Sequence, residues 1–252
     1  MSIFKLQQFS INQSRSGMKI CSDSLLFGAV IPVEGAKRIL DIGAGTGILS
    51  LMQAQKCNAL TAPVLESITA IELTEEAAEE AQDNFNNSPW ADQLKIIAQD
   101  IQQFSHDQQR PITAGYDVII CNPPFFVAQT KTAEQNPLRQ AARHTDTLSF
   151  VDLCQSIDRL LTGLGSVYLL MPVISIVEFC QQASLVGLEL YQRIDIAESE
   201  NHPVKVSVLH FKRGGSPAEI NLQPSRLNKF QTTNVHSDEV RDLLSSFLLR
   251  YL

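Results

Sequence analysis

Residues 118–121, Val-Ile-Ile-Cys, form an unbroken apolar run that stops at Asn122-Pro-Pro-Phe125. A strand with no polar alternation has to be covered on both faces, which points to a parallel sheet packed between two layers of helices. Two successive prolines end the strand, because each lacks an N–H and fixes its φ. The chain therefore leaves the sheet in a rigid corner that carries one amide side chain and one aromatic ring.

The rest of the sequence fits that frame. Strand-like runs occur at Arg38–Ile42, Ile68–Leu73, Leu94–Ala98, Asp117–Cys121, Ser166–Met171, Leu188–Ile194 and Val204–Phe211. Helix-like segments, Ile48–Lys56, Glu75–Asn86, Phe150–Leu161 and Glu178–Leu185, fall among them, with Ser149 a candidate N-cap for the third. Strands alternating with helices predict an α/β fold with a mostly parallel sheet. The last two strands are joined by a short polar stretch with Asn201 and Pro203, too short for a crossover helix, so they are expected to pair antiparallel. A helical tail is expected over Asp238–Tyr251. Residues 127–149 form the longest unpatterned stretch, and long loops in compact domains are often functional. The 252 residues suit one domain, divided into an N-terminal segment (1–37), a core (38–213) and a C-terminal extension with a helix (214–252).

Five scattered cysteines with no Cys-x-x-Cys pair suggest a reduced, cytoplasmic protein with neither a disulfide framework nor a metal site. No apolar stretch is long enough to span a bilayer, and the first residues lack the apolar core of a secretory leader. The net charge of −7 argues against a large nucleic-acid footprint, but the charge is unevenly distributed. Residues 39–110 carry eleven acids and three bases, whereas residues 1–38 carry five bases and two acids. Lys131, Arg139, Arg143 and His144 follow the proline corner. An acidic body with basic edges can hold RNA locally, with an affinity that falls as salt rises. Taken singly, each of these charges also reads as ordinary solvated surface.

A second corner follows the first strand, in Leu40-Asp-Ile-Gly-Ala-Gly-Thr-Gly47. Glycines between a strand and a helix permit a tight turn and close approach of backbone to ligand. Dinucleotide binders want Gly-x-Gly-x-x-Gly, which would require glycine at 48, where the chain has Ile48. The observed Asp41-x-Gly43-x-Gly45-x-Gly47 resembles the first motif of S-adenosylmethionine-dependent methyltransferases. Glu72, at the end of the next strand, is then positioned to accept both ribose hydroxyls. Asp100, after the third strand, is positioned to receive the adenine amine. Alone, Glu72 reads as a solvated strand end and Asp100 as a loop acid or helix cap; it is the three in register that point to a cofactor.

The proline corner supplies an acceptor site. The Asn122 side-chain oxygen and the Pro123 carbonyl can each accept one hydrogen of a planar amine, and Phe125 can stack on its ring for about 1–3 kcal/mol. Asn122 has no titratable proton, so catalysis would come from positioning. Phe125 and Phe126 could equally be core residues. The corner on its own fits the exocyclic amine of adenine or guanine or the side-chain amide of glutamine.

More of the chain carries a resemblance. Phe9–Ala29, Asn87-Ser-Pro-Trp-Ala91, Asp100-Ile-Gln-Gln103, Ala142-Arg-His-Thr-Asp-Thr-Leu148 and the closing helix resemble the bacterial valine-tRNA adenine-N6 methyltransferases almost end to end. The resemblance implies a Rossmann-like class I methyltransferase fold with a seven-stranded, mostly parallel sheet whose last strand is antiparallel. It implies N6 methylation of adenosine 37 of a valine tRNA by a monomer using S-adenosylmethionine. It assigns the donor to Asp41, Gly43, Gly45, Gly47, Glu72, Asp100 and Asn122, and the acceptor to Asn122, Pro123 and Phe125. Phe125 and Phe126 depart from the family, which carries tyrosines there, and residues 60–66 match poorly. The N-terminal segment is expected to fold over the donor with Asp23 at its methionine end and Lys19 and Arg15 facing RNA. Lys131, Arg139 and Arg143 are the candidate phosphate contacts. A release-factor glutamine methyltransferase is the first alternative; those enzymes carry a helical substrate domain where only 37 residues precede the first strand here. A non-catalytic RNA-binding shell is the second. A nicotinamide oxidoreductase is disfavoured by Ile48 and by the proline corner.

Overall fold

The computed structural model describes residues 2–15, 17, 19–108, 115–123, 148–214 and 223–251. In chain order the elements are β1 (Ile3–Lys5), β2 (Ser10–Asn12), α1 (Ser22–Val30), β3 (Arg38–Ile42), α2 (Ile48–Asn58), β4 (Ser67–Glu72), α3 (Glu75–Asn86) and β5 (Leu94–Ala98). They continue with α4 (Ile101–Asp107), β6 (Tyr116–Cys121), α5 (Phe150–Leu160), β7 (Leu161–Pro172), α6 (Ile176–Leu185), β8 (Leu188–Ala197) and β9 (Val206–Arg213). The chain closes with β10 (Ser225–Asn228), β11 (Phe230–Thr232), β12 (Val235–His236) and α7 (Asp238–Leu244).

Eight strands form the central sheet in the order β10-β8-β9-β7-β6-β3-β4-β5. Of these, β9 runs opposite to the rest, antiparallel to β7 on one side and β8 on the other. The expected antiparallel pairing of the last two core strands is thus observed. The expected strand count is corrected from seven to eight. The additional strand, β10, lies parallel to β8 at the sheet edge, and in it only Leu227 is buried. With one neighbour and one buried side chain, it has no apolar pattern to announce it. The C-terminal helix is also shorter than expected. It stops at Leu244, and a 3₁₀ turn follows at Leu249–Tyr251.

Helices cover both faces of the sheet. One core layer includes Leu26 and Phe27 of α1, Met52 of α2, Phe85 of α3 and Leu244 of α7. The other includes Phe104 of α4, Ile157 of α5 and Phe179 of α6. Each fully buried Leu, Ile or Phe contributes about 1.5–3 kcal/mol, so the two layers hold the central strands firmly from either side. The N-terminal segment belongs to this core: Leu25, Leu26 and Phe27 are buried. Its side chains also reach the C-terminal extension. Gln7 Nε2 donates to the carbonyls of Ser245 (2.7 Å) and Leu248 (2.9 Å).

Helix starts are capped as the sequence suggests. Ser149 Oγ accepts the Asp152 N–H at the start of α5. Asp100 Oδ1 accepts the N–H groups of Gln102 and Gln103 at the start of α4. α2 starts differently. Its N-cap is Gly47, with φ +78° and no side chain to cap with. A Cβ at Gly47 would lie 2.4 Å from Cε1 of Phe85. Gly47→Ala therefore combines a left-handed backbone with a clash in the core. It is expected to destabilise the fold by about 2–4 kcal/mol, read as a lowered denaturation midpoint in urea. An unchanged midpoint would mean that the Phe85 ring yields freely.

Candidate active site

Two parallel pairings set the site. Ile42, the last residue of β3, is the register partner of Cys121, the last of β6. The glycine turn and the Asn122-Pro123 corner therefore leave the sheet side by side. On the other flank of β3, Ile42 pairs with Ile71, one residue before Glu72. Glu72 in turn pairs with Ala98 of β5, two residues before Asp100. Because β3 lies between β4 and β6, the chain reverses its direction of winding there. The crevice at such a switch point is where open α/β sheets bind ligands. From the β6 tip to the β5 tip is three strand spacings, about 14 Å, long enough for an extended nucleoside with an amino-acid tail.

The glycine turn is held from beneath. The N–H groups of Gly43 and Ala44 donate to the Ile71 carbonyl, at 2.9 and 3.1 Å. The Gly45 N–H donates to Glu72 Oε2 at 2.9 Å. Gly43 and Gly45 have φ of +71° and +53°. A Cβ at either would meet nothing within 4 Å, so the turn faces open space and leaves room for a ligand against the backbone. The other Glu72 oxygen, Oε1, accepts from the Thr74 N–H and hydroxyl. Glu72 is thus fixed at the turn and shapes it, with both oxygens accepting from the protein's own donors.

Asp41 is wholly buried. Its Oδ2 accepts the Ser50 hydroxyl at 2.7 Å and the Ser50 N–H at 3.2 Å. Its Oδ1 is buried with no hydrogen-bond partner. Burial pushes this carboxyl up to about 7, against the Ser50 bonds that lower it, with the Glu72 charge adding to the rise. An unpartnered buried acceptor beneath an open glycine turn fits a ligand that brings a positive charge or an N–H donor. Asn122 and Pro123 are half-buried, and among the described residues the Asn122 side chain has no hydrogen-bond partner.

The N-terminal segment reaches the same region through α3. Asn84 receives the Asn12 N–H and donates to the carbonyls of Asn12 and Thr46. The buried Glu80 accepts the N–H groups of Ser14 and Arg15. Arg15, expected to face RNA, pairs with Glu79 (3.3 Å) and Asp83 (3.1 Å). Lys19 is exposed. Asp23, expected at the methionine end of the donor, lies 2.6 Å from Lys229 Nζ, which also contacts Glu198 at 2.7 Å. Burial works against the Lys229 charge, but the two carboxylates outweigh it and hold its pKa above the usual value. Phe125, Lys131, Arg139 and Arg143 lie outside the described residues. Among the described residues no cluster of His, Cys, Asp and Glu is arranged for a metal ion, and no helix is long and apolar enough to cross a membrane.

Ser50, Glu80 and Lys229 were not picked out from sequence. Ser50 left a trace, as the one hydroxyl in the run Ile48-Leu49-Ser50-Leu51-Met52. Glu80 and Lys229 left none, because their partners are distant in the chain.

The fold has solved counterparts. An O-methyltransferase assigned from Agrobacterium tumefaciens superposes with a TM-score of 0.59 at 16% identity, covering 89% of this chain and 96% of that one. A protein from Listeria monocytogenes assigned as a class I S-adenosylmethionine-dependent methyltransferase superposes at 0.52 with 12% identity, covering 82% and 62%. The methyltransferase small domain model matches residues 14–147, from the N-terminal segment through the proline corner. The sheet order and the methyltransferase small domain match together define an S-adenosylmethionine-dependent methyltransferase.

Curated relatives narrow this further. A tRNA1(Val) (adenine(37)-N6)-methyltransferase from Tolumonas auensis is 39% identical over 248 residues, 98% of this chain and 97% of its own. One of the same name from Cytophaga hutchinsonii is 39% identical over 213 residues, 84% of each chain. The chain belongs to this family.

When bound, the cofactor supplies an electrophilic methyl group on a sulfonium. Asp41, Glu72, the glycine turn and Asp100 are the residues that the resemblance assigns to holding it. Glu72→Ala removes both the support of the Gly45 N–H and a hydroxyl acceptor. Donor affinity is expected to fall about 10- to 100-fold, measured by calorimetry with S-adenosylmethionine. An affinity within twofold of the parent would remove Glu72 from the donor site.

Proposed function

We propose that this enzyme methylates the N6 amine of adenosine 37 in a valine tRNA, with S-adenosylmethionine as donor. The observation that carries the reading is the register of Ile42 with Cys121, which sets Asn122 and Pro123 beside the glycine turn. Near end-to-end likeness to relatives of that name supports the choice of tRNA over the other acceptors a proline corner could serve. The activity named for those relatives favours neither the release-factor alternative nor the non-catalytic shell.

The chemistry asks little of acids and bases. The lone pair of an adenine amine is drawn into the ring. Accepting its two hydrogens at the Asn122 Oδ1 and the Pro123 carbonyl turns that lone pair toward the donor. Asn122 is suited to this because it is half-buried and, among the described residues, not otherwise hydrogen-bonded. The carbonyl of Pro123 is held by the fixed φ of its own ring and the conformational restriction that Pro124 imposes on it. Phe125 would stack on the base, and a ring without a hydroxyl still does so. Transfer of the methyl from a sulfonium to the neutral amine would leave a neutral thioether and a cationic amine; that cation is a far stronger acid than the starting amine, so its proton leaves to water without a dedicated base. Positioning of this kind can supply much of the acceleration. A base stacked in the anticodon loop would have to turn out to reach the corner. Lys19, Lys131, Arg139 and Arg143 are the proposed phosphate contacts, Asp23 is proposed to border the donor, and the enzyme is proposed to act as a cytoplasmic monomer.

Nucleoside mass spectrometry of tRNA from a deletion strain tests the reaction: loss of N6-methyladenosine from a valine tRNA is expected, and an unchanged profile would refute it. Asn122→Ala is expected to lower the transfer rate at least 100-fold while donor affinity stays within about threefold. Equal losses in both would place the residue on the donor instead.

A further inference from the structure

We propose that Ser50 is a positioning residue for the donor site: it holds Asp41 through two hydrogen bonds to one carboxylate oxygen, so that the other oxygen meets the positively charged end of the methyl donor. The inference rests on the reading that Asp41 contacts the donor.

The geometry comes from how α2 begins. A helix leaves its first N–H groups without partners inside the helix, and an N-cap side chain usually takes one of them. Here the N-cap is Gly47, which the turn and Phe85 require and which cannot cap. Ser50 stands three residues on, at the position a cap would serve. Its N–H is satisfied from outside the helix by Asp41 Oδ2, at 3.2 Å. The Ser50 hydroxyl adds a second bond of 2.7 Å to the same oxygen. Both residues are fully buried. One oxygen is thus claimed twice and the other, Oδ1, is left without a partner. The helix N-terminus also lends its positive end to this carboxylate.

The groups around Asp41 oppose its charge. Glu72 on β4 is a like charge; Cys121 on β6 is buried beside Asp41, and burial first and the Asp41 charge second push its thiol up, so it stays neutral. Burial opposes it most, and the Ser50 bonds are what favour the carboxylate. Desolvation therefore outweighs the hydrogen bonds, leaving the carboxyl at about 7. The sign follows. A raised pKa means that the unliganded protein holds this proton up to near neutrality, and a cationic donor expels it. Donor affinity is then expected to rise as pH passes upward through about 7.

Removing the hydroxyl should move that rise upward by about one pH unit, since a single hydrogen bond to a charged group carries roughly that effect. The experiment is calorimetry with S-adenosylmethionine from pH 6 to 9 on the full chain. Ser50→Ala is expected to bind about tenfold more weakly at low pH and to converge on the parent by pH 9. Ser50→Thr, which restores the hydroxyl, is expected to recover the parent curve. Asp41→Asn is expected to bind weakly with no pH dependence, and adding Ser50→Ala to it should change little. If Ser50→Ala weakens binding equally at every pH, or has no effect, Ser50 is merely structural. If Asp41→Asn leaves affinity intact, the underlying reading of Asp41 fails instead. Should Ser50→Ala not fold, infrared titration of the Asp41 carboxyl in unliganded parent and Ser50→Thr protein decides. A titration near pH 7 that is common to both supports the proposal, and one more than a unit higher in either overturns it.

Discussion

The pairing of Ile42 with Cys121 is the constraint on which the rest depends. Parallel strands are locked in register by evenly spaced hydrogen bonds and by apolar layers on both faces. Ile39, Leu40, Ile119 and Ile120 are fully buried. A slip of one residue would send these side chains to the opposite layer. With register fixed, two corners far apart in sequence emerge as neighbours. The donor side needs open backbone and an acceptor for positive charge; the acceptor side needs two carbonyl-type oxygens. The register of β3 with β6 brings the two strand ends together.

Around this centre a few polar side chains tie separate elements together. Glu72 ties the turn to β4 through the Gly45 N–H. Asp41 joins β3 to the first turn of α2. Lys229 joins the start of α1 to the end of β8 through two carboxylates. Breaking such a pair strands a buried charge, which is why it constrains geometry more than its net stabilising effect suggests.

Much of the architecture was legible because the signals were local. Val118–Cys121 has no polar interruption, and the glycines at 43, 45 and 47 all adopt the left-handed backbone that their residue type favours. Ser149 caps the helix it precedes. What could not be read was non-local or faint. β10 buries one side chain and exposes its first two residues. α4 is seven residues long and starts at Asp100, whose carboxylate caps it, the simpler of the two roles the sequence allowed. The pairing of Asp23 with Lys229 and the grip of Glu80 on Ser14 join positions that only the fold brings near.

α3 carries more of the site than its exposed acidic surface suggests. Phe85 backs the third glycine, Asn84 takes hold of the Thr46 carbonyl, and Glu80 clasps the backbone at Ser14 and Arg15. One stiff rod thus touches both the cradle of the turn and the strap beside it. The position of residues 12–15 is therefore tied through α3 to that of the turn at Thr46.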